Sequence, residues 1–323
     1  MNRYIFFASH HDYFRVAFDD VIGIPGVHYQ PDFLYSTTRF KKILHSLHIF
    51  RGISKKIIPP CREIWYKQYF PEEYKKNDQY YFVFFFGWHR ICYNGFLKFL
   101  RERFPGCKCI LYLCDLNETK KLDMGIMKEL FDHVMLFERN YAEKCGVEYY
   151  PLVYSEGLKD VPMKDRDIDL LFVGKAKGRY DFLKKIYDRL TESGVRCEFY
   201  LSNIDQPVDR SSSGIHIVDH VPYEENIRLL KRSKCVLDIV PPETNCNTLR
   251  MSEAMYYNNR VITNNRHIVD EVFYSPDLIS VYSSADDIDI AFLQREYGNV
   301  CYTGKDQISP KAMLNHLDDL FGS

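Results

Sequence analysis

The sequence contains no hydrophobic run long enough to cross a membrane. Its longest apolar run, residues 80–88, is about half the length of a membrane-spanning helix. A signal peptide is also missing, since residues 1–9 are too short for one, lack a cleavage region and have the pattern of a first strand. We therefore expect a soluble, cytoplasmic protein in a reducing compartment.

The sequence also lacks a cysteine framework and a strong net charge. Its ten cysteines are irregularly spaced, and no CxxC motif has a matching second one, so no metal site is expected. The one close cluster, Cys107, Cys109 and Cys114, surrounds an apolar run in which cysteine serves as a small apolar residue. A net charge of −1 gives no support to a nucleic-acid partner.

What remains is the composition of a folded, two-domain protein. Hydrophobic residues make up 46% and charged residues 27%, which excludes a disordered chain. The length of 323 residues suits two α/β cores of roughly 150 residues each. Aromatic residues, at 15%, fit a cleft lined by rings and hydroxyls and an ordinary aromatic core equally well.

Buried strands alternate with amphipathic helices along both halves of the chain. In the first half, strands are predicted over 3–8, 80–86, 109–114, 132–137 and 148–154, and helices over 37–50 and 93–104. After a charged, proline-containing linker at 161–169, strands are predicted over 169–173, 196–201, 215–218, 235–239 and 260–263, and helices over 180–193, 224–231, 248–257 and 310–320. Such alternation is typical of parallel sheets with right-handed crossovers.

This repetition predicts an α/β protein with two Rossmann-like, doubly wound domains that face a central cleft. The predicted boundaries are 1–160 and 161–305, followed by a C-terminal helix over 306–323 that can cross back to the first domain. Because ligands of such sheets bind at the carboxyl ends of the strands, the cleft is the expected site.

Two segments of the second half carry a family resemblance. Residues 217–242 give a strand and turn, an acidic-capped helix and a strand that ends in a proline-bearing loop. Residues 247–265 give a helix with Glu253 before Ala254-Met255, a turn, and a Val-Ile-Thr strand. These segments resemble the donor half of GT-B glycosyltransferases, most of all the bacterial polysaccharide and lipopolysaccharide enzymes whose helix reads roughly Leu-x-Met-Arg-x-x-Glu-Ala. The resemblance covers about 168–275; over 1–155 it is only a pattern of elements.

The resemblance implies a hexosyltransferase-like enzyme of surface polysaccharide synthesis. The second domain would bind a nucleotide-diphosphate sugar, and the first would bind a glycan or lipid-linked acceptor, with no metal and no cofactor. Many retaining members carry two glutamates eight positions apart at the signature helix. Here Glu253 fills the second place, Asn245 stands in the first, and Glu243 lies nearby in another register, so the stereochemical course stays open.

The expected donor contacts centre on Glu253, a solvent-facing carboxylate that can accept hydrogen bonds from both hydroxyls of a ribose. Its alternative role is that of a surface or capping carboxylate. Asn247 and Thr248 begin the same helix, where free N–H groups attract a diphosphate, although both residues are also ordinary helix caps. Arg250, on this helix, points toward either the cleft or solvent.

Two loops supply further donor candidates. The loop Gly174–Arg179 carries Lys175 and Arg179 between a strand and a helix, where cations can stabilise a departing diphosphate; it lacks the P-loop spacing, and its alternative is a solvated turn. His220 and Tyr223 occupy the loop in which relatives contact the nucleobase. Tyr223 can stack on a base or pack against its own helix.

An inverting enzyme also needs a base for the acceptor hydroxyl. The candidates are His10, His11, Asp12 and Asp115, which follow strands of the first half. Each of them is otherwise a polar loop residue, and a retaining enzyme would need no such base.

Other functions on the same fold stay open. One is a nucleotide-sugar epimerase or another transferase, and a second is a non-catalytic subunit that binds sugar nucleotides. A GT-A transferase is rejected because the Asp167-x-Asp169 motif precedes a strand instead of following one.

The segment 39–62 combines seven cations with no acidic residue, since Asp32 and Glu63 lie outside it. Its first part, 39–50, has a helical apolar face. Such a segment can bind the anionic inner face of a membrane as a peripheral anchor, or its apolar face can pack on the first domain while the lysines face water.

Overall fold

A computed structural model describes residues 1–8, 12–30, 38–49, 63–70, 75–85, 95–155, 165–204, 213–241, 244–296, 298 and 301–322, with only the backbone at 12, 47–49 and 118. The chain divides into two compact units. The first unit comprises Met1–Pro151 and Met313–Ser323, and the second comprises Leu152–Ala312.

The first unit is built on a six-stranded parallel sheet with the strand order β2-β1-β3-β4-β5-β6. Its strands are β1 Asn2–Phe7, β2 Val27–Gln30, β3 Gln79–Phe85, β4 Lys108–Leu113, β5 His133–Leu136 and β6 Glu148–Tyr149. Its helices are α1 Asp12–Ala17, α2 Arg39–Ile49, α3 Glu63–Tyr69, α4 Leu97–Arg103, α5 Leu116–Thr119, α6 Met124–Leu130 and α7 Arg139–Cys145.

Aromatic side chains fill the core of this unit. Strand β3, with the sequence QYYFVFF, is buried at every position after its first, as expected for a strand covered on both faces. Phe7 stacks on Phe84 with ring centroids 4.7 Å apart, and Phe96 meets Phe7 edge-on at 5.6 Å. The high aromatic content of this half therefore serves packing.

The second unit has a six-stranded parallel sheet with the order β12-β11-β10-β7-β8-β9. Its strands are β7 Ile168–Lys175, β8 Cys197–Ser202, β9 Ile215–Ile217, β10 Ser233–Asp238, β11 Arg260–Thr263 and β12 Ile279–Val281. Its helices are α8 Tyr180–Glu192, α9 Tyr223–Arg232, α10 Leu249–Tyr256 and α11 Ile290–Gln294, with 3-10 turns at Arg266–Asp270, Ala285–Asp287 and Lys305–Ile308. The strand order reverses between β7 and β10, and ligands of doubly wound sheets bind at such a reversal.

Helix α12, Pro310–Phe321, ends the chain, and its residues from Met313 onward belong to the first unit. Asp318 accepts a hydrogen bond from the amide of Asn2 at 2.8 Å, and His316 lies 2.9 Å from a carboxylate oxygen of Glu148. These contacts attach the end of the chain to strands β1 and β6.

The two doubly wound sheets confirm the predicted fold class. The long buried strands and helices lie within a few residues of their predicted bounds; β11 and the start of α8 match them. The predicted strand 148–154 is a strand only over Glu148–Tyr149. The short strands β2 and β12 and the short helices α1, α3, α5, α6, α7 and α11 were not predicted. Within the described ranges, no helix is both long and apolar enough to span a membrane.

Candidate functional site

Glu253 lies in the middle of α10 and is buried, with only 4% of its surface exposed. Asn226, on α9, donates a hydrogen bond to its Oε1 at 3.2 Å. Burial raises the pKa of the Glu253 carboxyl to about 7, against the opposing effects of a Tyr223 hydrogen bond and the Arg250 charge. The expectation of a solvent-facing carboxylate is therefore wrong, because α10 is buried on all sides from Met251 to Tyr256.

Tyr223, the first residue of α9, connects Glu253 to two further tyrosines. Its hydroxyl lies 2.7 Å from that of Tyr154, which donates to the hydroxyl of Tyr257 at 3.4 Å. Burial, together with the nearby Glu253 carboxylate, raises the pKa of Tyr223. A chain of hydroxyls therefore fixes the position of the Glu253 carboxylate from inside the unit.

Asp238, the last residue of β10, is the second buried carboxylate of the site. Its side chain is 3% exposed and accepts hydrogen bonds from Thr248 at 2.8 Å and from Thr263 at 3.1 Å. Thr248 is also the N-cap of α10, since its hydroxyl accepts from the backbone N–H of Met251 at 3.1 Å. Asp238 thus ties the start of α10 to the carboxyl ends of β10 and β11.

Arg250 extends over the end of β7. It donates to the carbonyl of Val173 at 2.5 Å, lies 3.4 Å from Asp238, and its guanidinium centre is 4.9 Å from the centroid of the Phe172 ring. A Cβ atom at Gly174 would come within 3.1 Å of Nη2 of Arg250, so the glycine makes room for this arginine. Arg250 therefore turns toward the sheet edge and not toward open solvent.

The loop after β7 brings a second arginine to the same edge. Lys177 and Gly178 have φ angles of 48° and 74°, a left-handed pair that turns the chain into α8. Arg179 directly precedes α8 and donates to the carbonyls of Ala176 and Lys175, both at 3.2 Å. Burial lowers the pKa of Arg179, and the charge of the nearby Arg250 lowers it further.

A cavity of about 340 Å³ lies beside Glu253 and Arg250. Tyr223, Thr248, Arg250 and Glu253 line it together with Asn226. Its apolar wall comes from Leu171, Val173 and Val236 on β7 and β10 and from Val221, Leu230 and Leu249. It therefore lies beside the reversal of strand order and is large enough for part of a small-molecule ligand.

Two buried polar groups next to this edge have no hydrogen-bond partner in the described part of the chain. They are Oδ1 of Asn247, a residue 6% exposed, and the hydroxyl of Tyr282, a residue 2% exposed. Asn247 precedes α10 and Tyr282 directly follows β12. Buried polar groups are almost always paired, so both are available to a ligand or to water.

The other predicted donor residues lie outside the lining of the cavity: Gly174, Lys175, Arg179, His220 and Asn247. Gly174 lies behind Arg250, Lys175 is exposed at the end of β7, and His220 is exposed in the turn before α9. Among the described residues, no cluster of His, Cys, Asp and Glu side chains could hold a metal ion.

Of the base candidates in the first unit, Asp115 is the one whose side chain the structure describes. It is exposed just beyond the end of β4, where its carbonyl accepts from the backbone N–H of Thr119 at 2.9 Å. His10 and His11 lie outside the described residues, and Asp12 begins α1 with its side chain outside them.

Several residues of the site were not predicted from the sequence, among them Asp238, Asn226, Tyr154 and Tyr282. Asp238 gave the clearest signal, a carboxylate that directly follows the apolar residues Cys235–Leu237 at the end of the strand, where ligands bind. Tyr154 gave no signal, because its partners Tyr223 and Tyr257 are far away along the chain.

Comparison with known proteins identifies the fold. No protein-family model and no curated protein matches the chain. An alpha-glucosyltransferase solved with UDP-glucose and DNA containing an abasic site aligns with a TM-score of 0.52 and 13% identity over 100% of both chains. Anabaena HepE, solved with UDP and glucose, aligns with a TM-score of 0.55 and 8% identity over 99% of both chains. The chain has the GT-B fold. The resemblance noted in the sequence is thereby confirmed for the fold.

Proposed function

We propose that this protein is a glycosyltransferase that moves a sugar from a nucleotide-diphosphate sugar to an acceptor, and that its second unit binds the donor. The observation that carries the proposal is the cavity at the strand reversal, where Glu253 and Arg250 face one space. In a nucleoside diphosphate, the ribose hydroxyls can donate hydrogen bonds to a buried carboxylate, and the diphosphate can bind a fixed cation. The GT-B fold of the chain and the nucleotides in the HepE and alpha-glucosyltransferase structures support the proposal.

The two ends of the cavity would take different parts of the donor. Glu253 would accept hydrogen bonds from the ribose hydroxyls, in place of or beside the bond from Asn226. Arg250, Arg179 and Lys175 would stabilise the charge of the diphosphate, which makes transfer independent of metal ions. Asn247 and Thr248 would receive the diphosphate at the start of α10. The exposed His220 and the ring of Tyr223 would lie near the base.

The acceptor would be a glycan or a lipid-linked sugar of surface polysaccharide synthesis, bound by the first unit. Asp115, or one of His10, His11 and Asp12, would accept the proton of its hydroxyl in an inverting reaction. The protein would then work in the cytoplasm at the inner face of the membrane. DNA, which is present in the alpha-glucosyltransferase structure, is the less favoured acceptor because the net charge of this chain is −1.

Calorimetric titration with UDP-, GDP-, CMP- and dTDP-sugars tests donor binding. At least one sugar nucleotide should bind without metal, and Arg250→Gln should weaken it about 10- to 100-fold, the value of a charged hydrogen bond. Arg295→Gln is the matched control, because Arg295 pairs with Asp277 on the exposed surface of the same unit. If no sugar nucleotide binds, or if both variants bind equally well, the donor site is wrong.

Product analysis separates transfer from the alternatives. We expect the donor that binds to lose its sugar to a glycan or lipid-linked acceptor, in the presence of a chelator. Conversion of the sugar nucleotide into an epimer would favour an epimerase. Binding without turnover against lipid, glycan and DNA acceptors would favour a non-catalytic subunit.

A further inference from the structure

Three apolar residues of helix α2 lie on its outside. Phe40 is 71% exposed, Ile43 is 59% exposed and Leu44 is 43% exposed. Their spacing of three and four residues places them side by side along one stripe of the helix. The expectation that this face packs on the first domain is wrong for these three residues.

The opposite side of α2 holds the helix in this orientation. His45 is 3% exposed, hydrogen bonds to the hydroxyl of Tyr69 and meets the ring of Trp65 edge-on at 5.2 Å. Both partners belong to α3, the next helix of the same unit. An amphipathic helix normally turns its apolar face to the core, whereas α2 turns a histidine inward and an apolar stripe outward.

Cations border the exposed stripe. Arg39 and Lys41 are exposed and Lys42 is partly exposed, and α2 contains no acidic residue. Within the described part of the chain, none of these three side chains forms an ion pair. The α2 face, defined as Arg39, Phe40, Lys41, Lys42, Ile43 and Leu44, therefore combines bare apolar surface with uncompensated positive charge.

We propose that the α2 face binds the surface of an anionic lipid bilayer. A bilayer of this kind matches both features, because it offers acyl chains to the stripe and negative headgroups to the cations. A second copy of the chain fits less well, since a two-fold contact across this face would set the same three cations against each other. A soluble glycan offers no apolar surface to cover Phe40 and Ile43.

Flotation with lipid vesicles tests the proposal, in the absence of any sugar nucleotide. The full chain should float with vesicles of phosphatidylcholine and phosphatidylglycerol at low salt, and should stay behind with phosphatidylcholine alone or at high salt. Because each cation near such a surface contributes about fivefold in affinity, Lys41→Glu with Lys42→Glu should weaken binding by more than about 10-fold. Phe40→Ser with Ile43→Ser should abolish it.

Matched controls come from other exposed surfaces. Val272 is 65% exposed in the second unit, and the side chain of Lys98 is 81% exposed on α4. The control variants are therefore Val272→Ser and Lys98→Glu, and both should float like the wild type. Every variant should have the wild-type melting temperature, measured by circular dichroism, because the altered side chains are largely exposed.

Three outcomes would overturn the proposal. The first is failure to float with anionic vesicles at low salt, and the second is equal binding by the α2 variants and their controls. The third is a dimer, seen by analytical ultracentrifugation, that Phe40→Ser with Ile43→Ser converts to a monomer. Since no sugar nucleotide is present, each of these outcomes leaves the proposed transfer reaction untouched.

Discussion

The two units share a sheet architecture but bury different chemistry. Among the described residues, the first unit buries only three polar side chains, His45, Thr119 and Glu138, while aromatic rings fill both faces of its sheet. The second unit buries a larger polar set: Ser155, Arg166, Ser233, Asp238, Thr244, Asn247, Ser252, Glu253, Asn259, Arg260, Thr263 and Asn265. Several members of this set meet at the carboxyl ends of β10 and β11.

This difference supports the proposal that the second unit binds the donor. Buried polar groups cost free energy unless they are paired, so a unit that gathers them at one sheet edge has a use for them there. In the described part of the first unit, a cavity lies along the edge strand β2, where Val27, His28, Tyr29 and Gln30 line it.

Loss of Asp238 should destabilise the second unit strongly. Asp238→Ala leaves Arg250, Thr248 and Thr263 without their shared acceptor, and breaking a buried charged contact typically costs about 3–5 kcal/mol. The matched change in the first unit is Asp123→Ala, which removes an ordinary helix cap and should cost about 1 kcal/mol. Urea unfolding measures the stability loss of both variants. Equal losses in Asp238→Ala and Asp123→Ala would contradict the contrast between the units.

Two carboxylates should give the units opposite pH dependences. Burial raises the pKa of Glu253 to about 7, above its unfolded value, so its contribution to stability is full at low pH and is lost as the pH rises through 7. Relative to Glu253→Gln, the wild type should therefore lose roughly 2–3 kcal/mol of unfolding free energy between pH 4.5 and pH 8.

Glu148 in the first unit should behave in the opposite way. Burial would raise its pKa, but hydrogen bonds to His133 at 2.5 Å and to His316 outweigh it and lower the pKa to about 2. Its contribution is therefore present above the unfolded pKa and is lost as the pH falls toward 2. Relative to Glu148→Gln, the wild type should lose about 1–2 kcal/mol on acidification, since the group is partly solvated. If the stability of the wild type relative to each variant changes with pH in the same direction at both sites, the described environments of Glu253 and Glu148 are wrong.

The smallest effect is expected at Gly174. In Gly174→Ala, the new methyl group meets Arg250 at 3.1 Å and the Phe172 ring at 3.4 Å, so the arginine must shift by a few tenths of an ångström. We expect a loss of about 1 kcal/mol in stability and a matching loss in donor affinity. Gly298→Ala is the control, because a methyl group there meets nothing within 4 Å. Thermal unfolding with and without nucleotide compares the two variants.

The fold could be predicted from the sequence because its main elements are locally encoded. Strand β3 is a continuous apolar run after its first residue, and α8 begins after a glycine turn and has an apolar face. Strand β2, with the sequence VHYQ, has no such run and takes its conformation from pairing with β1. Propensity alone could not indicate it.

The candidate site could be predicted only in part, for the same reason. Four of the predicted residues line one cavity: Tyr223, Thr248, Arg250 and Glu253. They could be predicted because each lies in a segment with a family resemblance. Asp238 was missed because its partners are 10 to 25 residues away and meet it only in the folded sheet. The burial of Glu253 could not be foreseen, because a charged residue in a helix normally predicts a solvated face.

Hydrogen exchange of the amide groups in the presence of a nucleoside diphosphate tests the central claim most directly, because it reports which unit binds the donor. UDP or the nucleotide that binds best should slow exchange in the second unit at two segments. The first is 174–180, from the end of β7 to the start of α8, and the second is 247–253 at the start of α10; Arg179 and Arg250 lie in these segments. The amides of α1 and α5 in the first unit should exchange as before. Protection confined to the first unit, or none in these two segments at saturating nucleotide, would contradict the assignment of the donor site to the second unit.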